Sequence, residues 1–361
     1  MFDGAAVVPH LVRRGLVTAA EGARSRPAVE RVPGRNLLYR VAFDSGATFL
    51  LKQAVDPETR RSLDREARMY DHLAGCADRA LGSRPLADRA LAGRLPRKLD
   101  YDPDTSVIVL EFLAGYRPLA VPPDGGRHPH LEPRVAAELG RALSELSSLP
   151  PPPFDSTVPW VLSLVHPPVA ILREATPGIL DLTRTIQRSP AWCRCLERLS
   201  AEWSASSASS AVHGDLRFSN VLVRSGRMAA GRSELAIVDW ELAGPGDAGW
   251  DAGCAIAGFL ARRHGRAGAA FPLLRAFWSA YIEGSPEMER TEQSARLDVA
   301  LAWAAAALLQ IAYEAARAHP PHARRIERLV EIGRSLIERS DVWAESVFLP
   351  RGEAAWPTPA R

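Results

Sequence analysis

Two residue types are nearly absent from this sequence. Lysine occurs only at Lys52 and Lys98 among 45 basic residues, and asparagine occurs only at Asn36 and Asn220. Such scarcity indicates a coding bias that supplies arginine wherever charge alone is needed. A compact ammonium fits where a planar guanidinium does not, so a surviving lysine is a candidate for a function that arginine cannot perform. These four residues are therefore the first candidates for functional roles.

The chain also has few cysteines and no long hydrophobic run. Its four cysteines show neither the density of a disulfide framework nor a paired metal-ligand spacing, so we interpret them as reduced structural thiols. The longest apolar run, 299–312, is shorter than the roughly 20 residues that a membrane span needs, and it predicts a buried helix. The N-terminus has no signal-peptide pattern, so we expect a cytoplasmic protein with no membrane association.

Composition narrows the class of protein further. The net charge is +3, and the basic residues are spread along the chain, so no nucleic-acid partner is expected. The hydrophobic fraction of 47% and the charged fraction of 24% are typical of a packed globular protein and exclude wholesale disorder. A chain of 361 residues is too long for one small core, so we expect one large domain or two lobes.

Hydrophobic periodicity divides the chain into five segments. Residues 1–24 predict one or two short helices, and residues 25–115 predict a small α+β lobe. Residues 116–133 are rich in proline and glycine and predict a crossover, followed by a mainly helical lobe over 134–345 and a tail over 346–361. Strands are predicted at 37–41, 48–53, 107–112, 221–224 and 235–238, and helices at 64–73, 134–148, 189–204, 252–263, 271–282, 296–318 and 324–339.

The segment 212–223 carries the most specific chemical pattern. It reads VHGDLRFSNVLV and is followed at 237–241 by IVDWE. A hairpin between the two predicted strands would bring Asp239 to the loop that holds Asp215 and Asn220. Phosphoryl transfer needs a carboxylate to accept the hydroxyl proton and hard oxygen ligands to hold magnesium on the phosphates. A turn-rich loop alone can contain polar residues, but with asparagine so rare the pattern favours phosphoryl transfer.

A second pattern lies upstream. Lys52 ends a predicted strand and Glu66 lies in the following helix, the arrangement in which an ion pair directs an ammonium toward nucleotide phosphates. Alone, such a pair is more often solvated on the surface, but the scarcity of lysine and the apolar residues before Lys52 favour the functional interpretation. The loop with Gly34 and Asn36 is placed to cover phosphates with backbone N–H groups, although it lacks a glycine-rich repeat.

With these motifs, and with Gly246-Asp247 before Trp250-Asp251, the chain resembles the aminoglycoside phosphotransferase and choline kinase superfamily, relatives of protein kinases. The resemblance covers about residues 30–320. It implies an α+β, bilobal, protein-kinase-like fold with a small β-rich, nucleotide-binding N-lobe and a larger, mainly helical C-lobe. It also implies ATP or GTP and Mg²⁺ as cofactors.

The resemblance assigns roles around the catalytic loop. It implies Asp215 as the catalytic base and Asn220 and Asp239 as magnesium ligands. Arg217 departs from the family's common pattern; it either steadies the γ-phosphate or, equally, faces solvent or pairs with a nearby carboxylate. His213 is expected to hold the loop through hydrogen bonds.

The resemblance also implies how the nucleotide is held. Lys52 would contact the α- and β-phosphates with Glu66 as its partner, and the adenine would lie against the segment from Glu111 to Leu113, held by backbone groups. Asp247 and Asp251 are expected to brace the loop and the next helix, and Asp251 could equally be an N-cap.

Three functions remain open at this point. The superfamily makes a small-molecule kinase commonest, acting on an antibiotic, sugar or amino alcohol. The segments 52–53, 213–223 and 239–253 also resemble the kinase subunits of lanthipeptide synthetases, which implies Ser or Thr of a natural-product precursor peptide as the acceptor and a separate lyase as a partner. The third function is a pseudokinase that binds nucleotide or a partner. The intact set of Lys52 and the three loop and hairpin residues argues against it.

Overall fold

The computed structural model describes residues 4–24, 27–32, 36–79, 91–120, 131–173, 175–206, 210–224, 234–262, 270–283, 289–318 and 322–349. The chain forms two compact units. The first consists of Met1–Arg117 and Leu222–Ala243, and the second of Pro118–Val221 and Gly244–Arg361. The sequence pattern places the hairpin after the catalytic loop in the helical lobe, whereas nearly all of that hairpin groups with the first unit.

The described elements follow one another along both units. In chain order they are α1 (Gly4–Arg13), α2 (Ala19–Arg24), β1 (Ala28–Val32), β2 (Leu37–Ala42), β3 (Thr48–Gln53), α3 (Pro57–Arg79), β4 (Lys98–Asp102), β5 (Val107–Glu111), β6 (Tyr116–Pro118), α4 (Pro133–Ser147), α5 (Val169–Arg173), α6 (Pro177–Gln187), α7 (Pro190–Ser206), β7 (Ser210–Val212), β8 (Val221–Arg224), β9 (Leu235–Ile237), β10 (Gly244–Gly246), α8 (Ala248–Ala261), α9 (Phe271–Glu283), α10 (Arg290–Arg317), α11 (Ala323–Glu338) and α12 (Ser340–Trp343). Short 3₁₀ turns cover Ala92–Arg94 and Trp160–Leu164, and a π-helical turn covers Ala344–Phe348.

The first unit is built on an antiparallel sheet of five strands in the order β1-β2-β3-β5-β4. Helix α1 packs Val7 and Leu11 onto one face of this sheet, in a buried cluster that includes Leu51. Successive side chains of a strand point to opposite faces. Lys52 therefore points to the other face, where it meets Glu66 of α3.

The second unit is mainly helical, and α10 is its central helix. Within α10, Thr291–Arg317 is long and apolar enough to cross a membrane by length and composition alone, yet 72% of its most apolar stretch is buried inside the protein. Leu301, Trp303 and Leu308 are completely buried. The buried helix predicted for 299–312 is confirmed, because protein side chains cover this apolar surface.

The predicted fold class is confirmed: a small unit around an antiparallel sheet accompanies a larger helical unit. Strands β2, β3, β5, β8 and β9 and helices α4 and α7 to α11 lie where they were predicted, with ends differing by a few residues. Helix α3 begins seven residues before its predicted start, and the side chain of Asp56 accepts a hydrogen bond of 2.8 Å from the N–H of Thr59 in its first turn.

The elements that local pattern did not predict share a physical reason. The segment 244–246 reads Gly-Pro-Gly, which is typical of a turn, and it is a strand only because it pairs with β7. Helix α6 starts with Pro-Gly, but proline suits the first turn of a helix, and Thr176 caps it by accepting from the N–H of Ile179 at 3.3 Å. Tertiary pairing and capping overrode the turn pattern in both places.

Close approach of two helices in the second unit leads to a stability prediction. A Cβ atom on Gly140 of α4 would lie 2.2 Å from the carbonyl oxygen of Phe277 in α9, whereas a Cβ on Gly75 of α3 would meet no atom within 4 Å. Gly140→Ala must push two packed backbones apart, so we expect it to lower the free energy of unfolding by about 1–3 kcal/mol or more. Gly75→Ala should raise it by about 0.5–1 kcal/mol, because alanine is the better helix former. Urea unfolding of both variants checks this pair, and a Gly140→Ala midpoint equal to that of the wild type would contradict the helix contact.

Candidate active site

The loop that follows β7 is fixed in the second unit by the start of α8. Strand β7 pairs with β10. Gly214, the second residue after β7, has a left-handed φ of 80°, which glycine adopts without strain. The carboxylate of Asp251 accepts hydrogen bonds from the N–H of His213 at 2.6 Å and of Gly214 at 3.1 Å. The indole of Trp250 donates to the carbonyl of Gly214 at 2.9 Å. These contacts hold the backbone that carries Asp215.

The bracing residues behave as expected, with one refinement. Burial raises the pKa of Asp251, while neighbouring His213 and the two N–H groups oppose this by favouring the carboxylate. The N-cap of α8 is Asp247, which accepts from the N–H of Gly249 at 2.7 Å and also from the indole of Trp303 at 3.0 Å. Asp251 therefore braces the loop and is not an N-cap.

Asp215 lies in this loop with only 6% of its surface exposed. Its Oδ2 accepts from Nε and Nη2 of Arg217 at 3.1 and 2.8 Å and from Nδ2 of Asn220 at 3.4 Å. Asn220 also donates to the Asp215 carbonyl at 3.0 Å, which closes the loop on itself. In the part of the chain that the structure describes, Oδ1 of Asp215 has no hydrogen-bond partner. One carboxylate oxygen is thus held in place and the other is open to accept a proton.

Arg217 is paired with carboxylates on both sides. Besides Asp215, its Nη1 donates to Oε1 of Glu314 on α10 at 2.7 Å. Close to half of its side chain is exposed. Of the alternatives that the sequence left open for Arg217, the structure shows the pairing with a nearby carboxylate. Glu314 was not predicted, because it is 97 positions away on the chain and only the packing of α10 brings it to the loop.

In the first unit, Lys52 is at the centre of a second group of charges. Its ammonium donates to Oε2 of Glu66 at 2.7 Å and to Oδ1 of Asp239. Burial by itself lowers the pKa of Lys52, but the two carboxylates outweigh that cost and raise it above its ordinary value. Lys52 is therefore a permanently charged ammonium that lies almost fully buried between two acids.

Asp239 takes an unusual backbone conformation. Asp239 is the second residue after β9, and its φ is +70°. This is one of two positive φ values at non-glycine positions among the described residues. The indole of Trp240, completely buried, donates to the carbonyl of Ile237 at 3.2 Å and anchors this turn. Such strain costs on the order of 1–3 kcal/mol and occurs mostly at functional sites.

The remaining predicted nucleotide contacts lie in the same unit. Asn36 is buried, and its Nδ2 donates to Oε2 of Glu241 at 3.3 Å. Gly34 lies outside the described residues. Glu111 ends β5, and its side chain accepts from the backbone N–H and the guanidinium of Arg97, each at 3.3 Å. The N–H of Leu113 donates to no group in the described part of the chain, which leaves it open to a ligand.

A large cavity opens in the second unit beside the loop that carries Asp215. Its volume is about 1060 Å³, and its lining comes from the loop and from helices α8, α10 and α11. Asp215 and Arg217 form part of the wall. Asp215, whose Oδ1 is open, is therefore part of the cavity wall. No local motif predicts it, because its helices are separated by long stretches of chain.

A kinase-like protein is the class that this fold and these two charge clusters define. The model of the phosphotransferase enzyme family, APH, matches residues 29–293. The chain belongs to this family, and it is a kinase, a phosphotransferase with an alcohol group as acceptor. The resemblance to the aminoglycoside phosphotransferase and choline kinase superfamily is thereby confirmed.

Solved structures with the same fold cover almost the whole chain. A choline/ethanolamine kinase family protein of Mesorhizobium loti is 20% identical, with a TM-score of 0.52, covering 92% of this chain and 96% of its own. Ethanolamine kinase of Plasmodium vivax is 13% identical, with a TM-score of 0.55, covering 92% and 87%. Aminoglycoside 2'-phosphotransferase-IIIa, solved as a GDP complex, is 12% identical, with a TM-score of 0.52, covering 94% and 100%. None of the curated proteins matches the chain. At these identities the likeness establishes the fold.

Proposed function

We propose that this protein transfers the γ-phosphate of ATP or GTP to a hydroxyl group of a small molecule, with Asp215 as the general base. The observation that carries the proposal is the state of the Asp215 carboxylate. Oδ2 is held by Arg217 and Asn220, whereas Oδ1 has no partner among the described residues, and Asp215 is part of the wall of a cavity. A fixed carboxylate with one open oxygen is suited to take the acceptor's proton as the phosphate is transferred.

The nucleotide is held by the first unit in this proposal. Lys52 contacts the α- and β-phosphates, and Glu66 keeps its ammonium aimed at them. The open N–H of Leu113 and the backbone near Glu111 bind the adenine edge, while Asn36 lies near the phosphates. The relative solved with GDP supports the use of a nucleotide. Binding of Mg-ATP compared with Mg-GTP decides which of the two is preferred.

Magnesium fits the donor groups that the chain offers. Mg²⁺ prefers oxygen ligands and is usually held by one or two protein groups together with the nucleotide phosphates. Asp239 offers a carboxylate, whose Oδ1 accepts from Lys52, and Asn220 offers its amide oxygen, which also accepts from the hydroxyl of Ser219 at 3.3 Å. Among the described residues no cluster of three or more His, Cys, Asp or Glu is placed to hold a metal, so the phosphates must complete the ligand set. The ion would neutralise charge on the phosphates when bound.

Arg217 has a separate proposed role. Its pairing with Oδ2 of Asp215 fixes that oxygen and leaves Oδ1 without a partner among the described residues. Its Nη1 is anchored by Glu314, and nearly half of the side chain is exposed. We assign it to steadying the transferred phosphate. Arginine suits this because its planar fork forms paired bonds to phosphate oxygens.

A small-molecule acceptor is favoured by the cavity and by the relatives, whose names describe kinases of choline, ethanolamine and aminoglycosides. A precursor peptide with a separate lyase is a sequence-based alternative that no contact in the described residues favours, and a pseudokinase disagrees with the intact set of Lys52, Asp215, Asn220 and Asp239. A role in lanthipeptide biosynthesis or in antibiotic resistance is likewise a sequence-based alternative that no contact in the described residues favours. We also propose a cytoplasmic location, since protein side chains and not lipid cover the apolar helix α10.

Nucleotide binding tests the proposal directly. We expect millimolar Mg-ATP or Mg-GTP to raise the unfolding midpoint, because a ligand at 100 times its Kd stabilises the folded state by about 2.7 kcal/mol. Asp239→Ala should abolish most of this shift, since it removes a metal ligand and a partner of Lys52. Asp44→Ala, at an exposed turn in the same unit, is the matched control and should keep the shift. A wild-type midpoint that neither nucleotide changes would count against the proposed function.

A further inference from the structure

The cavity beside the catalytic loop has an unbalanced charge. Five arginines and only two carboxylates, Asp215 and Glu314, belong to its wall; the arginines are Arg217, Arg262, Arg324, Arg325 and Arg328. Both carboxylates are bound to Arg217. The other four arginines of the wall therefore face a cavity with no further acidic residue in its described lining.

Arg262, at the end of α8, is the most unusual of these. Its guanidinium stacks on the ring of Phe218, 4.9 Å from the ring centroid. Both terminal nitrogens, Nη1 and Nη2, are buried and have no hydrogen-bond partner among the residues that the structure describes. Burial lowers the pKa of Arg262 to about 10, and no neighbouring carboxylate offsets this.

A buried guanidinium without partners is costly, because its N–H donors have lost water and gained nothing. Protein interiors keep such groups only rarely, and a functional role or a bound ion is among the explanations when they do. Arg262 borders an open cavity, so a ligand there can supply the missing acceptors after a small change of its side chain. The group that does this best is an anion with two oxygens, since the guanidinium fork binds carboxylate or phosphate through paired hydrogen bonds.

The first turn of α11 adds to the positive charge around the cavity. Arg324 and Arg325 lie in that turn, and the preceding N-cap residue, His322, makes no side-chain hydrogen bond to it. The N-terminal end of a helix carries partial positive charge and open N–H groups, which favour a nearby anion. The helix end and the arginines thus act in the same direction.

We propose that the acceptor of this kinase is itself an anion: a hydroxylated small molecule that carries a carboxylate or phosphate group, which Arg262 and the first turn of α11 bind. The inference rests on the proposed kinase function and names the class of its acceptor. Cationic aminoglycosides and small amino alcohols are poor fits, because they would place positive charge against arginines. The volume of about 1060 Å³ is also large for a small amino alcohol, since the pockets that bind drug-sized ligands have volumes of about 300–1,000 Å³.

Inorganic phosphate and choline serve as opposite probes of the cavity. With saturating Mg-ADP present to fill the nucleotide site, each is titrated while the unfolding midpoint is followed. We expect phosphate to stabilise the protein and choline to have no effect. Arg262→Gln should weaken phosphate binding about tenfold or more, the value of one charge-assisted hydrogen bond. Arg334→Gln, exposed on α11 and paired with Glu331, is the control and should bind phosphate like the wild type.

The comparison between variants is the deciding measurement. Phosphate stabilises folded proteins in general, and this effect raises the unfolding midpoint of every variant alike. Only the difference in phosphate response between the variants therefore reports binding at Arg262. Equal phosphate affinity of Arg262→Gln and Arg334→Gln, or tighter binding of choline than of phosphate, would overturn the inference. If Arg262→Gln does not fold, the double variant Arg324→Gln and Arg325→Gln replaces it, since both side chains are exposed. The double variant should bind phosphate several-fold more weakly than the wild type. Unchanged phosphate affinity in this variant would also overturn the inference.

Failure of this inference and failure of the proposed function are distinguishable. A protein that Mg-ADP does not stabilise lacks the proposed nucleotide site, whatever the probes do. A protein that binds Mg-ADP but prefers choline is a kinase with a cationic acceptor, and only the assignment of an anionic acceptor is then wrong.

Discussion

Asp215→Asn lowers the turnover number by a factor of about 10² to 10⁴, the usual value of general-base assistance, while nucleotide affinity changes little. The substitution keeps the shape of the side chain, and its amide oxygen can still accept from Arg217. It removes the basic carboxylate of a residue in the cavity wall. The effect therefore falls on the chemical step and leaves binding of the nucleotide by the first unit intact.

The measurement does not need the acceptor to be known. Release of ADP with water as the acceptor depends on the same base, so it reports the loss in the purified protein. Asp181→Asn, at an exposed position paired with Arg184 on α6, is the matched control and should release ADP like the wild type. Turnover of Asp215→Asn within a few-fold of the wild type would remove Asp215 as the base.

Lys52→Arg is expected to lower turnover at saturating nucleotide by about 10², because small misplacements of a reacting group have effects of that size. The ammonium of Lys52 lies between Glu66, at 2.7 Å, and Asp239, and the residue is only 6% exposed. A longer, planar guanidinium does not fit the same point. It would displace either the phosphates or the two carboxylates.

Lys98→Arg is the natural partner of this experiment, since Lys98 is the other lysine of the chain. Its ammonium pairs with the exposed carboxylate of Asp71 at 2.5 Å and donates to the carbonyl of Ala67 at 3.4 Å. An arginine can keep both contacts, so activity should stay at the wild-type level. Circular dichroism of both variants confirms that each is folded, and equal activity in the two would show that Lys52 has no special role.

Much of the candidate site could be predicted because its signals are local or statistical. The rarity of lysine singled out Lys52, and the structure places it against Glu66, the acid with which the sequence associated it, and also against Asp239. The spacing of Asp215 and Asn220 predicted one loop, and the two residues are hydrogen-bonded across that loop. Their catalytic and metal-binding roles remain predictions.

Other parts of the site have no local signal. Glu314 looks like one more surface acid of a helix, and Arg262 like one arginine among many. The pairing of Glu314 with Arg217, and the isolation of the Arg262 guanidinium on Phe218, depend on how α8 and α10 pack. Likewise, the choice of Asp247 over Asp251 as the N-cap follows from where α8 begins.

The sequence by itself determined the class of this protein: most of its strands and helices, the loop with Asp215 and Asn220, and membership of a phosphotransferase family, because periodicity and motif spacing are properties of neighbouring residues. Only the tertiary structure decided which charges meet. Whether a buried cation has a partner depends on residues tens of positions away, and the free energy of burying it depends on that partner. For this reason the chain's motifs indicate a kinase, while the buried guanidinium of Arg262 beside the cavity is the basis for our inference about the acceptor.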